Sequence, residues 1–291
     1  MSTFDFLQLD VFASRLFEGN PLAVVIGADA LDEPTMQRIA RWTNLSETTF
    51  LLQPTQPGAD YRVRIFTPRQ ELPFAGHPSV GSAYAAIETG CVPAKAALVQ
   101  ECAAGLLPVT VQGTGDARVI HVQAPPARIT AVDRALPATL ARAFGRELPA
   151  AAVHAIDNGP VWIVCDLGEA SAVRALAPDL STIASLCLAQ GAVGVSVFGR
   201  ESGGDAAMAV RAFCPADGIP EDPVTGSANA AIGALLRERG GLDRYGHRYV
   251  ASQGREVGRD GRVEVRVDAH SGAVSIGGRC VVGVRGVFTP V

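Results

Sequence analysis

The 291-residue chain contains a single lysine, Lys95, among its 25 basic side chains. Pyridoxal phosphate chemistry needs a lysine amine for its Schiff base. Lys95 sits in the small polar connector PAKAAL, so that chemistry is disfavoured. No GxxxxGK[ST] stretch is present to cradle phosphates, and no clean GxGxxG follows a strand. The five histidines, His77, His121, His154, His247 and His270, are far apart, with no HxxxH spacing and no nearby cysteine or carboxylate pair. That pattern disfavours zinc. The six cysteines, Cys91, Cys102, Cys165, Cys187, Cys214 and Cys280, form no CxxC motif and read as small buried hydrophobes. No apolar run approaches the roughly 20 residues of a membrane span. The start MSTFDFLQLD has neither the basic segment nor the small-residue cleavage site of a signal peptide. With a net charge of −4 and no basic patch, nucleic acid is not an expected partner. These absences point to a cytosolic protein that works without metal, nucleotide or other cofactor.

What is present is a soluble composition, 48% hydrophobic and 19% charged, and one long internal repeat. RIFTPRQELP (Arg64 to Pro73) resembles RAFCPADGIP (Arg211 to Pro220) at an offset of 147. Further on, Pro78 to Ala83 matches Pro223 to Ala228 at an offset of 145, which sets His77 against Asp222 and Gly81 against Gly226. Upstream, GNPLAVV (from Gly19) echoes NGPVWIV (from Asn158). A period this long is a duplicated domain, not a solenoid.

Alternation in DYRVRIF and RVEVRVD predicts strands, and these outnumber the helices. Helices are expected near 33–42, 78–89, 169–176 and 225–239, with strands near 48–53, 60–67, 193–198 and 206–213. The expected fold class is α+β, each half a mostly antiparallel, barrel-like sheet around one central helix. The expected halves are 1–116 with 279–291, and 117–278, the last strand returning to the first half.

Two helices thus begin at HPSVGS and DPVTGS. Proline suits a first helical turn, and Asp222 or Thr225 can cap the second helix. Glycine inside a helix costs about 1 kcal/mol relative to alanine, so Gly81 and Gly226 suggest a close approach to the backbone. Helix N-termini offer free N–H groups and partial positive charge, which attract carboxylates. A pair of such ends bearing different ionisable residues would suit acid/base chemistry on a small carboxylic acid. Taken singly, each Asp-Pro or His-Pro step is equally a plain cap.

NLSETTF, RIFTPRQELPFAGHP and EDPVTGSA, with EGNPLAVV and QGREVGR, resemble the motifs of the PhzF-like phenazine-biosynthesis family. The resemblance spans nearly the whole chain. It implies the duplicated fold shared with diaminopimelate epimerase and proline racemase, an active site between the halves, and often a homodimer. It implies Glu47 as the acid/base residue, which by itself reads as an exposed glutamate opening the strand TTFLL. Ser46 precedes it in the site. Gly76 and His77 match the family's AGH step, with His77 contacting substrate, and Asp222 matches its second acidic residue. Gly226 and Ser227 match the helix start that holds a substrate carboxylate. The implied reaction is a cofactor-independent isomerisation in which Glu47, with its pKa lifted toward neutrality, moves a proton between carbons. The family's phenazine substrate is trans-2,3-dihydro-3-hydroxyanthranilate.

Two other readings remain open in the sequence. One is a racemase, epimerase or dehydratase of an amino or hydroxy acid. The paired cysteines of the thiol racemases are missing here, since Cys214 lies in the strand before Asp222. The other is a ligand-binding or protein-interaction protein with little turnover.

Overall fold

The computed structural model describes residues 3–130 and 132–289. In chain order the first half holds β1 (Phe4–Val11), β2 (Asn20–Ile26), α1 (Glu33–Thr43), β3 (Glu47–Leu52), β4 (Tyr61–Phe66), β5 (Glu71–Leu72), α2 (Gly76–Glu88), β6 (Ala97–Cys102), β7 (Gly105–Gln112) and β8 (Val119–Gln123). Then follow β9 (Arg128–Thr130), α3 (Leu136–Phe144), β10 (Val153–Asp157), β11 (Val161–Glu169), α4 (Ala170–Arg174), α5 (Leu180–Gln190), β12 (Gly194–Arg200), β13 (Met208–Cys214), β14 (Ile219–Asp222), α6 (Gly226–Glu238), α7 (Leu242–Tyr245), β15 (Arg248–Gln253), β16 (Gly261–Val267), β17 (Val274–Gly278) and β18 (Cys280–Phe288). Among the described residues no helix is long and apolar enough to cross a membrane.

The chain divides into two compact units, Met1–Pro125 with Gly277–Val291, and Pro126–Ile276. The β7–β8 hairpin keeps residues 117–125 with the first unit, so the division falls later than the expected 116/117. Residues 1, 2, 290 and 291 of the expected first half lie outside the described residues. In the first unit β18 pairs antiparallel with β1, from Phe4 against Phe288 to Val11 against Cys280.

Each unit is α+β, and the two share one wiring. In the first, β2 runs parallel to β3, β3 pairs antiparallel with β4, and β4 takes β5 antiparallel and β6 parallel before β7 closes a hairpin. In the second, β11, β12, β13, β14, β15 and β16 repeat each of those steps. A chain whose strand order and strand directions recur in this way is a duplication at the level of backbone, whatever its sequence identity.

The central helix of each unit explains its own composition. In α2 every residue from Gly76 to Ile87 is buried, and a helix enclosed on all sides needs small or apolar side chains throughout. Gly81 shows how tight the fit is. A Cβ there would lie 2.5 Å from Leu22 Cδ2 and 2.9 Å from Val11 Cγ2. Gly81 therefore lets strand side chains pack on the helix interior, and the close approach expected from the sequence is made here by Leu22 and Val11. In α6 the glycine in contact with the sheet is Gly233, whose Cβ would meet Val274 and Val265 at 3.0 and 3.2 Å.

The outer helices follow local rules. Asp32 caps α1 by accepting from the Thr35 N–H at 2.9 Å, with proline in the first turn. The helix ends at Asn44 in the left-handed region, φ 53°. Its buried face, Met36, Ile39 and Ala40, joins Phe4, Val25, Phe50 and Phe66 in a core cluster. Strand-and-turn patterning missed three helices of the second unit, the one-turn α7 and α3 and α5, whose Leu140, Ile183 and Cys187 are buried against the sheet. Asp179 caps α5 by accepting from the N–H groups of Ser181 and Thr182, so the stretch DLST was a legible start. The helix expected at 169–176 is only Ala170–Arg174.

The two units also share a register marker. Arg64 binds Glu71 through two bonds, Nε to Oε1 at 2.7 Å and Nη2 to Oε2 at 2.6 Å. Arg211 binds Glu221 in the same way, at 2.9 and 2.7 Å. Each guanidinium also lies over the phenylalanine two residues on, Phe66 or Phe213. Arg64 and Arg211 are 147 residues apart, whereas Glu71 and Glu221, Pro73 and Pro223, and Gly76 and Gly226 are all 150 apart. The second unit thus carries three extra residues in the turn after β13. The register that set His77 against Asp222 is corrected: His77 corresponds to Ser227, and Asp222 to Leu72.

Candidate active site

In the first unit three elements deliver side chains to the start of α2. β2 begins at Asn20, β3 begins at Glu47, and these parallel strands pair Leu22 with Glu47. The turn before Asn20 is fixed by Asp10, whose Oδ2 accepts from the N–H groups of Glu18 and Gly19 at 2.9 and 3.1 Å. Asn20 is fully buried. Its Oδ1 accepts from the Ser46 hydroxyl at 3.1 Å, which turns its amide nitrogen toward His77 Nδ1 at 3.4 Å. With Asn20 as donor, Nδ1 of the ring is an acceptor and the ring proton sits on Nε2. That nitrogen lies 3.5 Å from Glu47 Oε2.

Burial pushes the His77 imidazole down to about 3. The ring is therefore neutral at ordinary pH, and its Nε2 lies beside the Glu47 carboxyl without a hydrogen bond between the two atoms. The Glu47 side chain keeps 15% exposure against 3% for His77, so it is the more accessible of the two.

The backbone of α2 adds donors. Its intrahelical ladder starts with Ser79 N–H donating to the Ala75 carbonyl at 3.2 Å. The N–H groups of Gly76 and His77 precede that bond and belong to the first turn, where helices have no internal acceptor. Pro78 has no N–H to place.

In the second unit Asp222 ends β14 at 6% exposure. Its Oδ2 accepts from the Thr225 hydroxyl at 2.5 Å. Gln253, at the end of β15, ties this corner together. Its Oε1 accepts from Thr225 N–H at 3.0 Å and from Asn229 Nδ2 at 3.1 Å, and its Nε2 donates to the Asp222 carbonyl at 3.1 Å and to Thr225 Oγ1 at 2.8 Å. Ser227 is held from both sides. Asn158 Nδ2 donates to its carbonyl at 2.9 Å, and the Trp162 indole N–H donates to its hydroxyl at 3.1 Å. The ladder of α6 starts with Asn229 N–H on the Thr225 carbonyl at 3.2 Å. The N–H groups of Gly226 and Ser227 are thus first-turn donors as well. Two orienting donors on Ser227 leave its hydroxyl proton for an acceptor.

The structure therefore gathers Ser46, Glu47, Gly76 and His77 at the N-terminal end of α2. It gathers Asp222, Gly226 and Ser227 at the equivalent end of α6. Each unit can offer helix N–H donors to an anion beside an ionisable side chain. Sequence reading placed Thr225 at the start of the second helix, where it is the N-cap, and missed Asn20, Asn158, Trp162 and Gln253 as parts of these two clusters. The signal for the asparagines was there, since GNP and NGP were already recognised as matching turns. Among the described residues no group of three or more His, Cys, Asp or Glu is placed to hold a metal ion, and all six cysteines are free.

Comparison with known proteins agrees in sequence and in shape. The family described as phenazine biosynthesis-like protein matches residues 9–286. The chain is 38% identical over 295 residues to the Schizosaccharomyces pombe protein called antisense-enhancing sequence 1, covering 98% of this chain and 99% of that one. It is 34% identical over 270 residues to trans-2,3-dihydro-3-hydroxyanthranilate isomerase of Pseudomonas aeruginosa, covering 93% of this chain and 92% of the relative. The crystal structure of a Bacillus anthracis phenazine biosynthesis protein of the PhzF family superposes with a TM-score of 0.83 at 27% identity, covering 100% of both chains. A probable proline racemase from Agrobacterium radiobacter shares the fold, with a TM-score of 0.71 at 19% identity over 99% of this chain and 93% of that one.

Proposed function

The chain belongs to the phenazine biosynthesis-like family and is an isomerase, and on that premise we propose that Glu47 is its proton carrier, acting on a small unsaturated carboxylic acid. The observation that carries this reading is the 3.5 Å contact between Glu47 Oε2 and Nε2 of a neutral, buried His77.

An imidazole held near 3 does not take up a proton at neutral pH, so it is a poor base for carbon acids. It remains a good hydrogen-bond donor. Glu47 is left as the group at this helix end that can accept a proton from carbon. His77 orients it and meets developing negative charge without competing for the proton.

The reaction balances within the substrate. The Glu47 carboxylate takes a proton from a carbon conjugated to the acid's double bond, and the electron pair left behind delocalises over that system. Glu47, now protonated, returns the proton to another carbon of the same system, and the double bond has moved. The first-turn N–H groups of Gly226 and Ser227 are assigned to the substrate carboxylate, with Asp222 as the second acidic group of the site. Ser46 and Gly76 complete the substrate contacts. Cytosolic residence and a homodimer belong to the same reading, and light scattering on the full chain tests the assembly.

The name of the Pseudomonas relative supplies the first compound to try, trans-2,3-dihydro-3-hydroxyanthranilate. Product analysis tests the reaction class. A moved double bond supports the proposal, whereas inversion at one carbon or loss of water supports a racemase or dehydratase.

A further inference from the structure

The second unit holds a cavity of about 990 Å³ that shares no residue with the clusters described above. It lies at the opposite end of α6. Leu235, Leu236 and Arg239 line it, whereas Asp222 and Ser227 belong to the helix's N-terminal end. Thirteen residues of helix put about 20 Å between the two ends.

The floor of the cavity is apolar. Leu167, Phe198 and Leu235 line it at 7%, 1% and 4% exposure. Its walls bring in Arg146, His154 and Arg239. Both arginines are exposed, and among the described residues neither guanidinium is in an ion pair. Burial, and then the Arg239 charge, hold His154 below its usual value, against a bond to the Ala151 backbone and the Asp166 charge that act the other way, so the cation is felt inside the cavity. Two carboxylates also line the walls, Glu147 and Asp166. Asp166 is engaged in its own turn, accepting from Gly168 N–H at 2.8 Å. Both keep their negative charge, and that of Asp166 reaches His154, while Glu147 is the exposed one of the two. Beneath the floor, Tyr245 packs its ring on Phe198 at 6.4 Å and keeps a buried hydroxyl with no hydrogen-bond partner.

A concave apolar floor with a few convergent polar groups is the general form of a small-molecule site. We propose that this cavity is a second ligand site, separate from the helix end that carries Asp222, and that it takes an organic anion with an apolar body, whose acid group meets Arg146 and Arg239. The volume suits a bicyclic or larger body rather than a two- or three-carbon acid.

The probe is 8-anilinonaphthalene-1-sulfonate, an apolar body with one anionic group, titrated by fluorescence into the full chain. Wild type should bind it saturably at one site. The double variant Arg146→Gln/Arg239→Gln should bind about tenfold more weakly, the factor expected when charge-assisted contacts are lost. Glu147→Gln should bind more tightly. Ala151→Trp, which fills the cavity from an exposed wall position, should abolish saturable binding. Glu47→Gln should bind as wild type does, which separates this site from the proposed catalytic one. The proposal is overturned if wild type shows no saturable site, or if binding survives unchanged in Arg146→Gln/Arg239→Gln or in Ala151→Trp. It is likewise overturned if the uncharged N-phenyl-1-naphthylamine binds as tightly as the sulfonate. Arg146, Glu147, Ala151 and Arg239 are exposed and Glu47 is partly buried, and melting curves check that each variant folds.

Discussion

Leu72 and Asp222 occupy the same place in the two units. Leu72 pairs with Ile65 across the β4–β5 ladder, and Asp222 pairs with Ala212 across β13–β14. Both sit four residues before the glycine that begins the central helix. One backbone position thus carries an apolar side chain in one unit and a carboxylate in the other. Where Leu72 and Asp222 differ, symmetric scaffolding has been given unequal chemistry.

That asymmetry makes Asp222→Asn informative. The amide keeps the shape and can still accept from Thr225, so the fold should lose no more than about 1 kcal/mol. Turnover should fall about a hundredfold if the carboxylate acts on substrate, the usual scale of a missing acid/base group. Steady-state rates beside a denaturant titration separate the outcomes. An unchanged rate would leave Asp222 a structural role only, as the acceptor of the Thr225 hydroxyl.

His77 sets a pH dependence of stability. Its folded value, about 3, lies below the usual 6.5. Above pH 6.5 the ring is neutral folded or unfolded and contributes no slope. As pH falls from 6.5 toward 3, the unfolded chain binds a proton that the folded chain refuses, and stability is lost. This one residue accounts for up to about 1.4 kcal/mol per pH unit in that window. His77→Asn should flatten the unfolding free energy between pH 6 and 4 by a comparable slope. The same value implies that the pH–rate profile has no step near 6.5 from His77.

Packing at Gly81 yields a stability prediction free of catalysis. An added methyl overlaps Leu22 and Val11, and overpacking of this kind costs typically about 1–3 kcal/mol. Gly81→Ala should lower the midpoint of chemical denaturation accordingly. Gly233→Ala, whose new contacts of 3.0 and 3.2 Å are to the tips of valine side chains, should cost less. Equal effects would mean that the two central helices are not packed as described.

The paired arginines differ in depth. Arg211 and Glu221 have 8% and 10% side-chain exposure, against 19% and 29% for Arg64 and Glu71. Removing one partner of a buried pair leaves the other charge uncompensated, at a cost of about 3–5 kcal/mol. Arg211→Met should approach that range, and Arg64→Met should fall short of it by thermal or chemical denaturation. Arg211 also donates to the carbonyls of Val173 and Leu176, which adds to its share.

Much of this architecture was legible in the sequence. Alternation placed β3, β4, β12 and β13 within a residue or two, and both central helices were anticipated. The duplication was visible because Arg, Phe and Pro recur around an ion pair that each unit needs. What failed was the register beyond that pair. Glu71 follows Arg64 by 7 residues, while Glu221 follows Arg211 by 10, and the longer turn cannot be seen in a textual match. A buried central helix demands glycine, serine and alanine along its whole length, so the string Gly-Ser-Ala recurs at different heights and imitates alignment. Residues joined only by tertiary contact, Asn20 to His77 and Trp162 to Ser227, carried no local signal. The helices α3 and α5 were overlooked because their apolar positions blend into long alanine-rich stretches.

The most direct test is proton NMR in D₂O with trans-2,3-dihydro-3-hydroxyanthranilate, comparing wild type with Glu47→Gln. The glutamine keeps the shape of the side chain and removes its ability to carry a proton. The account predicts that wild type moves the double bond or incorporates deuterium at carbon, and that Glu47→Gln does so at least about a thousandfold more slowly. Equal turnover by the two proteins would contradict Glu47 as the proton carrier.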